Sequence, residues 1–308
     1  MQSYIGVRLS VMMFLQFFVW GAWYVTVGNY MAAINMGDAI YWAYTVGPIA
    51  AMISPIFLGM IADRFFATQK VLGAMHLLGG VALFAAPMVA EGDNGSTLFF
   101  ILILQLHMLC YMPTLGLSNT LAFHHMTNQE KQFPLIRVFG TIGWIAANIV
   151  VSKWLEADKT ALPLQIAGGS AVLLGLYSFT MPDTPPPAAG KKVSFHDLFC
   201  LDALALLKGR SFLIFMISSV LICIPLAAYY AYAPVFVSAA GVKNAAFYMS
   251  FGQMSEIFFM LVMPFFFVRL GVKWMLLVGM FAWVLRYALF AASVPGDILW
   301  MILFGIIL

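Results

Sequence analysis

The chain has 308 residues, of which 63% are hydrophobic and 9% are charged, whereas soluble domains carry about 25% charged residues. With a mean hydropathy of +0.96, this composition excludes a soluble domain of any size and indicates an all-α integral membrane protein. The formal net charge of +3 comes from basic residues spread over short loops, which excludes the basic patch of a nucleic-acid-binding protein.

Apolar runs of about 20 residues, the length that crosses a bilayer, follow one another along the chain. The first run has no small-residue cleavage site after it, so we expect a retained helix and not a signal peptide. We predict about ten transmembrane helices, the last of them cut short at Leu308. They span residues 9–33, 40–62, 71–90, 97–121, 133–152, 162–181, 211–238, 245–268, 274–293 and 296 onward.

A polar segment, residues 181–211, separates the sixth predicted helix from the seventh. Its proline run cannot continue a helix, and the stretch FHDLFCLDALALLKG that follows has the spacing of an amphipathic helix on the membrane surface. With a cytoplasmic N-terminus, ten lysines and arginines would face the cytoplasm and three the exterior. Because positive residues concentrate on the cytoplasmic side, we predict that orientation.

The first helix carries a stripe of polar and aromatic residues at i, i+4 and i+7, formed by Gln16, Trp20 and Trp23. Tryptophans also gather at membrane interfaces, but Gln16 and Trp20 lie too deep for that. We therefore predict that they line a cavity.

The fifth helix carries a stripe with the same spacing, formed by Arg137, Thr141 and Trp144. A fixed cation, a hydroxyl and an aromatic face on one side of a helix suit a polar ligand with a flat ring. The alternative is that Arg137, little more than one turn past Pro134, snorkels to the cytoplasmic surface. Two glycines on other faces of this helix, at 140 and 143, are expected to let neighbouring helices approach closely.

Among the twelve acidic residues, only Glu256 lies deep inside a predicted span. It is roughly 18 Å from either end of its helix, where an ionised side chain costs about 2.5–3.5 kcal/mol. Gln253 precedes it by three positions and shares its helical face. We predict that Glu256 carries a proton; the alternative is a structural ion pair with Arg286 of the next helix.

Other polar residues of the spans are less decisive. The tyrosines of the seventh helix, Tyr229, Tyr230 and Tyr232, form either a cavity wall or an interfacial belt, and His76 and His107 are expected to be structural. Many amides, hydroxyls and rings with one deep acid describe a site for a neutral, ring-bearing, hydrogen-bonding molecule. No nucleophile–base pair and no metal-ligand spacing is present, the cysteines included, so we expect neither an enzyme nor a metal protein.

Six helices, a long linker and further helices resemble the major facilitator superfamily, in which two helical bundles rock about a central site. The segment GMIADRF, residues 59–65, resembles that superfamily's loop motif. The resemblance implies a gating role for Gly59, Asp63 and Arg64, although a solvated loop pair is the alternative. It also implies an N-terminal six-helix bundle over 1–181, a cytoplasmic linker over 182–210, and a C-terminal bundle over 211–308 that is truncated.

More closely, the chain resembles the nucleoside:proton symporter family of that superfamily. The segments FLQFFVWGAWYVTVGNYM, YMPTLGLSNT, FPLIRVFGTIGW, LDALALLKGRSF, GQMSEIFF and WVLRYALF carry the resemblance, in the family's order. It implies a multi-pass protein of the bacterial inner membrane that takes up nucleosides, with the proton as coupling ion and no other cofactor. We also expect a monomer.

By that similarity, Arg137, Thr141, Trp144, Gln253 and Glu256 contact the nucleoside or couple protons. Gln16, Trp20 and Tyr230 complete the predicted substrate-binding set. A departure is that Ala227 and Tyr230 stand where the family is expected to have amides. The alternatives are a carrier of sugars or other small polar solutes, and a membrane sensor or subunit that does not transport.

Overall fold

The computed structural model describes residues 2–91, 95–186, 206–294 and 298–308, and within these ranges the chain is helical and contains no strand. The packing of Gly59 and the side chains of Asp63 and Arg64 lie outside what the structure describes, as does most of the predicted amphipathic surface helix. The gating motif and that helix therefore stay predictions.

Helices before the linker form a first bundle. They are α1 (Gln2–Tyr24), α2 (Val27–Ala33), α3 (Ile40–Phe65), α4 (Thr68–Ala90), α5 (Thr97–His124), α6 (Gln129–Asn148), which continues as a π-helical stretch (Ile149–Trp154), and α7 (Leu162–Thr180). Helices after the linker form a second group. They are α8 (Arg210–Ala239), α9 (Ala245–Ser293) and α10 (Leu299–Ile307).

Two predicted boundaries can be compared with the helix breaks in the structure. Gly271 has non-helical angles (φ 67°, ψ 171°) inside α9, which confirms the predicted separation of 245–268 from 274–293, and its positive φ is one that glycine adopts readily. The predicted first span is interrupted between α1 and α2, where the Thr26 hydroxyl donates to the Trp23 carbonyl at 3.1 Å. Such local bonding competes with the helical ladder.

Seven segments among the described residues are long and apolar enough to cross a membrane. The prediction of about ten transmembrane helices therefore remains a prediction for the whole chain.

Helices α4 and α7 pack at close range through glycines. A Cβ added to Gly168 would lie 2.6 Å from the Phe84 backbone nitrogen and 2.7 Å from the Gly80 carbonyl oxygen. A Cβ on the adjacent Gly169 would meet nothing within 4 Å. Close backbone approach of this kind is how membrane helices associate without a hydrophobic driving force.

We expect Gly168→Leu to lower the stability of the first bundle by about 1–3 kcal/mol, the usual cost of overpacking. The measurement is the midpoint of thermal unfolding of the purified protein in detergent, together with its abundance in membranes. Gly169→Leu is the matched control, because it adds the same side chain one position away in open space. Equal midpoints for the two variants would contradict the packing shown here.

The loops lie on two faces of the bundle. The first, which we call the linker face, holds the start of the linker against the loop between α3 and α4 and the end of α5. Thr68 N–H donates to the Thr184 carbonyl at 2.9 Å, Gln69 Nε2 donates to Asp183 Oδ1 at 2.7 Å, and His125 Nε2 lies 2.8 Å from Thr184 Oγ1. The opposite face, which we call the distal face, holds the α6–α7 and α8–α9 connections.

The two groups of helices contact each other mainly toward the distal face. Gly28 of α2 packs against Val235 of α8, and Asn29 Nδ2 approaches the Pro234 carbonyl at 3.5 Å. On the other side, α8 is largely exposed from 210 to 224, with Ile214 at 55% and Ile224 at 63%. The contacts between the groups therefore close the space between them at the distal face.

Candidate functional site

A cavity of about 450 Å³ lies between the two groups of helices. Its size is within the range of about 300–1,000 Å³ typical of small-molecule sites. Six helices line it: α1, α3, α5 and α6 from the first bundle, with α8 and α9 from the second. The lining residues are Phe17, Trp20, Tyr24, Gly47, Pro48, Ala51, Met112, Arg137, Thr141, Trp144, Cys223, Leu226, Ala227, Tyr230, Gln253 and Glu256.

The α6 stripe faces this cavity. Arg137, Thr141 and Trp144 all line it, and the Arg137 guanidinium carbon lies 4.0 Å from the centre of the Phe17 ring. The cation is half-buried against an aromatic face, an arrangement that holds guanidinium planes in place. Arg137 therefore does not snorkel to the surface.

Small residues set the distance between α6 and α1. A Cβ on Gly143 would lie 2.2 Å from the Phe14 carbonyl oxygen, and one on Gly140 would lie 2.6 Å from the Phe17 ring. This confirms that the two glycines allow close helix approach. The contact brings the Phe17 ring under Arg137.

The α1 stripe is rotated by one residue from the predicted one. The residues that line the cavity are Phe17, Trp20 and Tyr24, whereas Gln16 and Trp23 are fully buried within the first bundle. One residue corresponds to about 100° around a helix, so a shift of one position moves a side chain from the cavity to the bundle interior. The structure thus places Trp20 at the cavity and Gln16 in the bundle interior.

Gln16 instead joins three helices through a buried polar network. Its Nε2 donates to Thr114 Oγ1 at 2.7 Å, its Oε1 lies 2.8 Å from His76 Nε2, and its carbonyl accepts from the Tyr111 hydroxyl at 2.6 Å. The histidine is structural as expected, and His107 likewise lies 2.9 Å from the Gly79 carbonyl. The amide of Gln16 is fully engaged, so its role is to position α1 against α4 and α5.

On the opposite wall, Gln253 and Glu256 of α9 both face the cavity. Glu256 is exposed to it and interacts electrostatically with Arg137. Arg286 is engaged elsewhere: its Nε donates to the Gly305 carbonyl at 2.9 Å, and its guanidinium lies over Trp283 at 4.4 Å and Tyr229 at 4.6 Å. The alternative of an ion pair between Glu256 and Arg286 is therefore not what the structure shows.

An aromatic layer covers the distal end of the cavity. Tyr24 lies at its centre, with ring centroids 5.6 Å from Tyr230, 5.5 Å from Trp20, 5.0 Å from Tyr44 and 6.3 Å from Trp144. These are edge-to-face distances that stabilise aromatic pairs. Tyr230 is the member contributed by the second group of helices, so the layer bridges the two groups.

Three polar atoms of the wall residues have no hydrogen-bond partner within the described part of the chain. They are Trp20 Nε1, Trp144 Nε1 and Gln253 Oε1. Buried polar atoms are nearly always paired. All three side chains line the same cavity.

Several lining residues were not predicted. The sequence does indicate Phe17 and Tyr24, because their spacing from Trp20, at i−3 and i+4, puts them on the same face of the helix. Met112 and the α3 residues Gly47, Pro48 and Ala51 had none, since small and apolar residues are common in every span.

A larger groove of about 830 Å³ lies at the linker-face ends of α1, α6 and α7. Its walls are mostly apolar and exposed, with Leu135 at 71%, Val7 at 60% and Leu173 at 56%. Its polar lining residues are Ser10, His125, Thr127 and Gln132, and the groove has neither a charged group nor an aromatic pair of the kind that the central cavity offers to a polar, ring-bearing solute.

A membrane-spanning helical chain with a ring-lined cavity between two groups of helices has the architecture of a secondary transporter of the major facilitator type. Solved structures support this class. The nucleoside transporter NupG superposes with a TM-score of 0.83 at 31% identity, covering 98% of this chain and 78% of that one. A peptide transporter, POT, shares the fold alone, with a TM-score of 0.54 at 14% identity, covering 100% and 82%.

The Nucleoside H+ symporter family model matches residues 3–308, and the chain belongs to that family. YegT of Escherichia coli (strain K12) is 41% identical over 92% of this chain and 67% of its own length. The nucleoside permease NupG of the same organism is 34% identical over 94% and 71%, and its xanthosine permease 34% over 95% and 72%. The protein is thus a multi-pass inner-membrane symporter of nucleosides and protons, with no other cofactor, and not an enzyme.

Proposed function

We propose that the cavity binds one nucleoside, with its base between aromatic faces of Trp20, Trp144 and Tyr230 and its polar edges against Arg137, Thr141 and Gln253. The observation that carries this proposal is the meeting of the α6 stripe and the Gln253–Glu256 pair in one cavity. The unpaired atoms of Trp20, Trp144 and Gln253 are the donors and the acceptor that a base or a ribose hydroxyl would satisfy.

The proton is proposed to bind at Glu256. Its carboxyl faces the cavity and interacts with Arg137 of the opposite bundle. Protonation removes the attraction between the bundles, whereas a bound nucleoside supplies other contacts to the cation. Occupancy by solute and by proton are therefore coupled through one pair of side chains.

For the transport cycle we propose that the helices of 1–181 and 211–308 rock as two bodies joined by the linker of 182–210. The N-terminus and the linker face are proposed to be cytoplasmic, as the lysines and arginines predict. The distal face is then external, and the described arrangement opens to the cytoplasm. Gly59, Asp63 and Arg64 are proposed to gate the cytoplasmic side. We expect a monomer, because both groups of helices that line the cavity belong to one chain.

The sugar carrier is the less favoured alternative. It would gain support from tryptophans facing lipid, but Trp20 and Trp144 line the cavity. The substrate range is proposed to depend on α8, whose contribution to the wall is apolar except for Tyr230 and Cys223.

Cys223 provides a direct test of nucleoside binding. Its thiol is exposed and lines the cavity, whereas Cys110 is buried. In a Cys200→Ser background, we expect saturating uridine to slow the reaction of Cys223 with a maleimide several-fold, because the bound nucleoside covers the thiol. Free ribose is the control ligand and should leave the rate unchanged. Equal labelling rates with and without uridine would contradict nucleoside binding in this cavity.

A further inference from the structure

Asp158 lies in the connection between the π-helical stretch and α7, at the distal face of the first bundle. Its side chain is 7% exposed. Its Oδ2 accepts a hydrogen bond from the backbone N–H of Ala246 at 3.2 Å. Ala246 belongs to the first turn of α9, in the second group of helices, so this hydrogen bond joins the two bundles.

The N-terminus of α9 needs this contact. The first N–H groups of a helix have no partner within the helix, and a side chain at the N-cap position usually supplies one. Here the N-cap residue is Asn244, which is in the left-handed region (φ 59°, ψ 47°) and makes no side-chain cap. The acceptor comes instead from Asp158, whose negative charge also suits the positive end of the helix dipole.

The Asp158 side chain is mostly buried, at the edge of a polar cavity that it lines together with Lys159 and Lys243. Burial raises the pKa of its carboxyl, while the Ser152 hydroxyl, the N–H groups of Ala246 and Ala245, and the charge of Lys159 act in the opposite direction. A second contact across the same boundary lies nearby, where the Lys153 ammonium is 5.5 Å from the centre of the Phe247 ring. A buried carboxyl that loses its donors must be rehydrated, so separation of the bundles here is coupled to the state of this residue.

We propose that Asp158 is a positioning residue of the transport cycle, which caps α9 from the opposite bundle and thereby holds the distal end of the cavity closed. The cap must break whenever the cavity opens to the distal side, because its donor and acceptor belong to bodies that then move apart. This inference rests on the proposed rocking of the two bundles. The hydrogen bond from Ala246 to Asp158, which we call the latch, thus holds the bundles together in addition to the aromatic layer around Tyr24. Asp158 does not line the central cavity.

The test measures access to Cys223 from each side of the membrane. A membrane-impermeant thiol reagent is applied to right-side-out and inverted vesicles carrying the protein in the Cys200→Ser background, without nucleoside. For Asp158→Ala we expect several-fold faster labelling from the distal side relative to the linker side. Asp158→Asn, which keeps the size and one acceptor oxygen, should give a smaller shift in the same direction. The sidedness ratio is the decisive readout, because general unfolding would expose the thiol from both sides.

Glu156→Ala is the matched control, since Glu156 is an exposed acid in the same connection and should leave the ratio unchanged. If both Asp158 variants gave the same ratio of distal-side to linker-side labelling as the parent protein, the proposal would be wrong. If Asp158→Ala does not reach the membrane, the ratio measured for Asp158→Asn tests the proposal by itself. Uridine protection of Cys223 in the parent protein is recorded in the same vesicles. If uridine does not slow the labelling of Cys223 in the parent protein, the proposed nucleoside site is wrong. The labelling ratio measured without nucleoside tests the role of Asp158 separately.

Discussion

Glu256→Gln is expected to abolish uphill uptake of nucleoside while leaving nucleoside exchange across the membrane measurable. The substitution keeps the size and hydrogen-bonding capacity of the side chain but removes its ability to take up a proton. Without a proton on the carrier, the gradient cannot drive accumulation, so the internal concentration should rise no higher than the external one. The measurement is accumulation of labelled uridine in vesicles with an imposed pH gradient, alongside uridine counterflow without one.

The control for this result is Glu91→Gln. Glu91 caps the C-terminal end of α4 and accepts a hydrogen bond from the Tyr30 hydroxyl at 2.8 Å, but it does not line the cavity. It should keep gradient-driven accumulation close to that of the parent. Undiminished accumulation by Glu256→Gln would exclude the proposed coupling role and would place the proton site elsewhere in the chain.

Arg137→Gln is expected to weaken uridine binding about 10- to 100-fold, since a hydrogen bond to a charged group contributes about 1.5–3 kcal/mol. The loss has two parts. The guanidinium offers several donors in a fixed plane, which Phe17 holds from below, and its charge balances Glu256 across the cavity. The dissociation constant of uridine, measured by titration calorimetry on purified protein, gives the effect directly.

Arg269→Gln is the matched control for the loss of a stacked arginine. The Arg269 guanidinium lies 3.9 Å from the centre of the Phe265 ring, nearly the same geometry as Arg137 over Phe17, but it is exposed and does not line the cavity. Uridine should bind this variant as it binds the parent. If both arginine variants bound uridine equally, the charge in the cavity would have no part in recognition.

The two bundles contribute different kinds of side chain to the cavity, and this difference explains how solute binding can drive movement of the bundles. The first bundle supplies Arg137 and most of the rings, and the second supplies Gln253, Glu256 and Tyr230. A solute that needs both sets must bring the bundles together around itself. The cavity is closed at the distal face by the Tyr24 layer and the Asp158 cap, so binding and closure use different contacts.

The sequence alone determined the membrane class, the sites of most helix boundaries and the family. It also determined the residues that share a face on each helix, because apolar length and helical period are local properties. The Arg137, Thr141 and Trp144 stripe and the Gln253–Glu256 pair were recognisable for that reason. A residue type rare in membranes, such as a deep acid, draws notice without any knowledge of its neighbours.

Only the tertiary structure decided which face of each helix points into the cavity. Helical period relates residues within one helix but not the rotation of that helix against the others, so Gln16 was predicted in the cavity and is buried one residue position away from it. The partner of Arg286 and the cap that Asp158 gives α9 were decided in the same way, since both contacts join residues distant along the chain. Such contacts depend on how whole helices pack, and no local pattern specifies that.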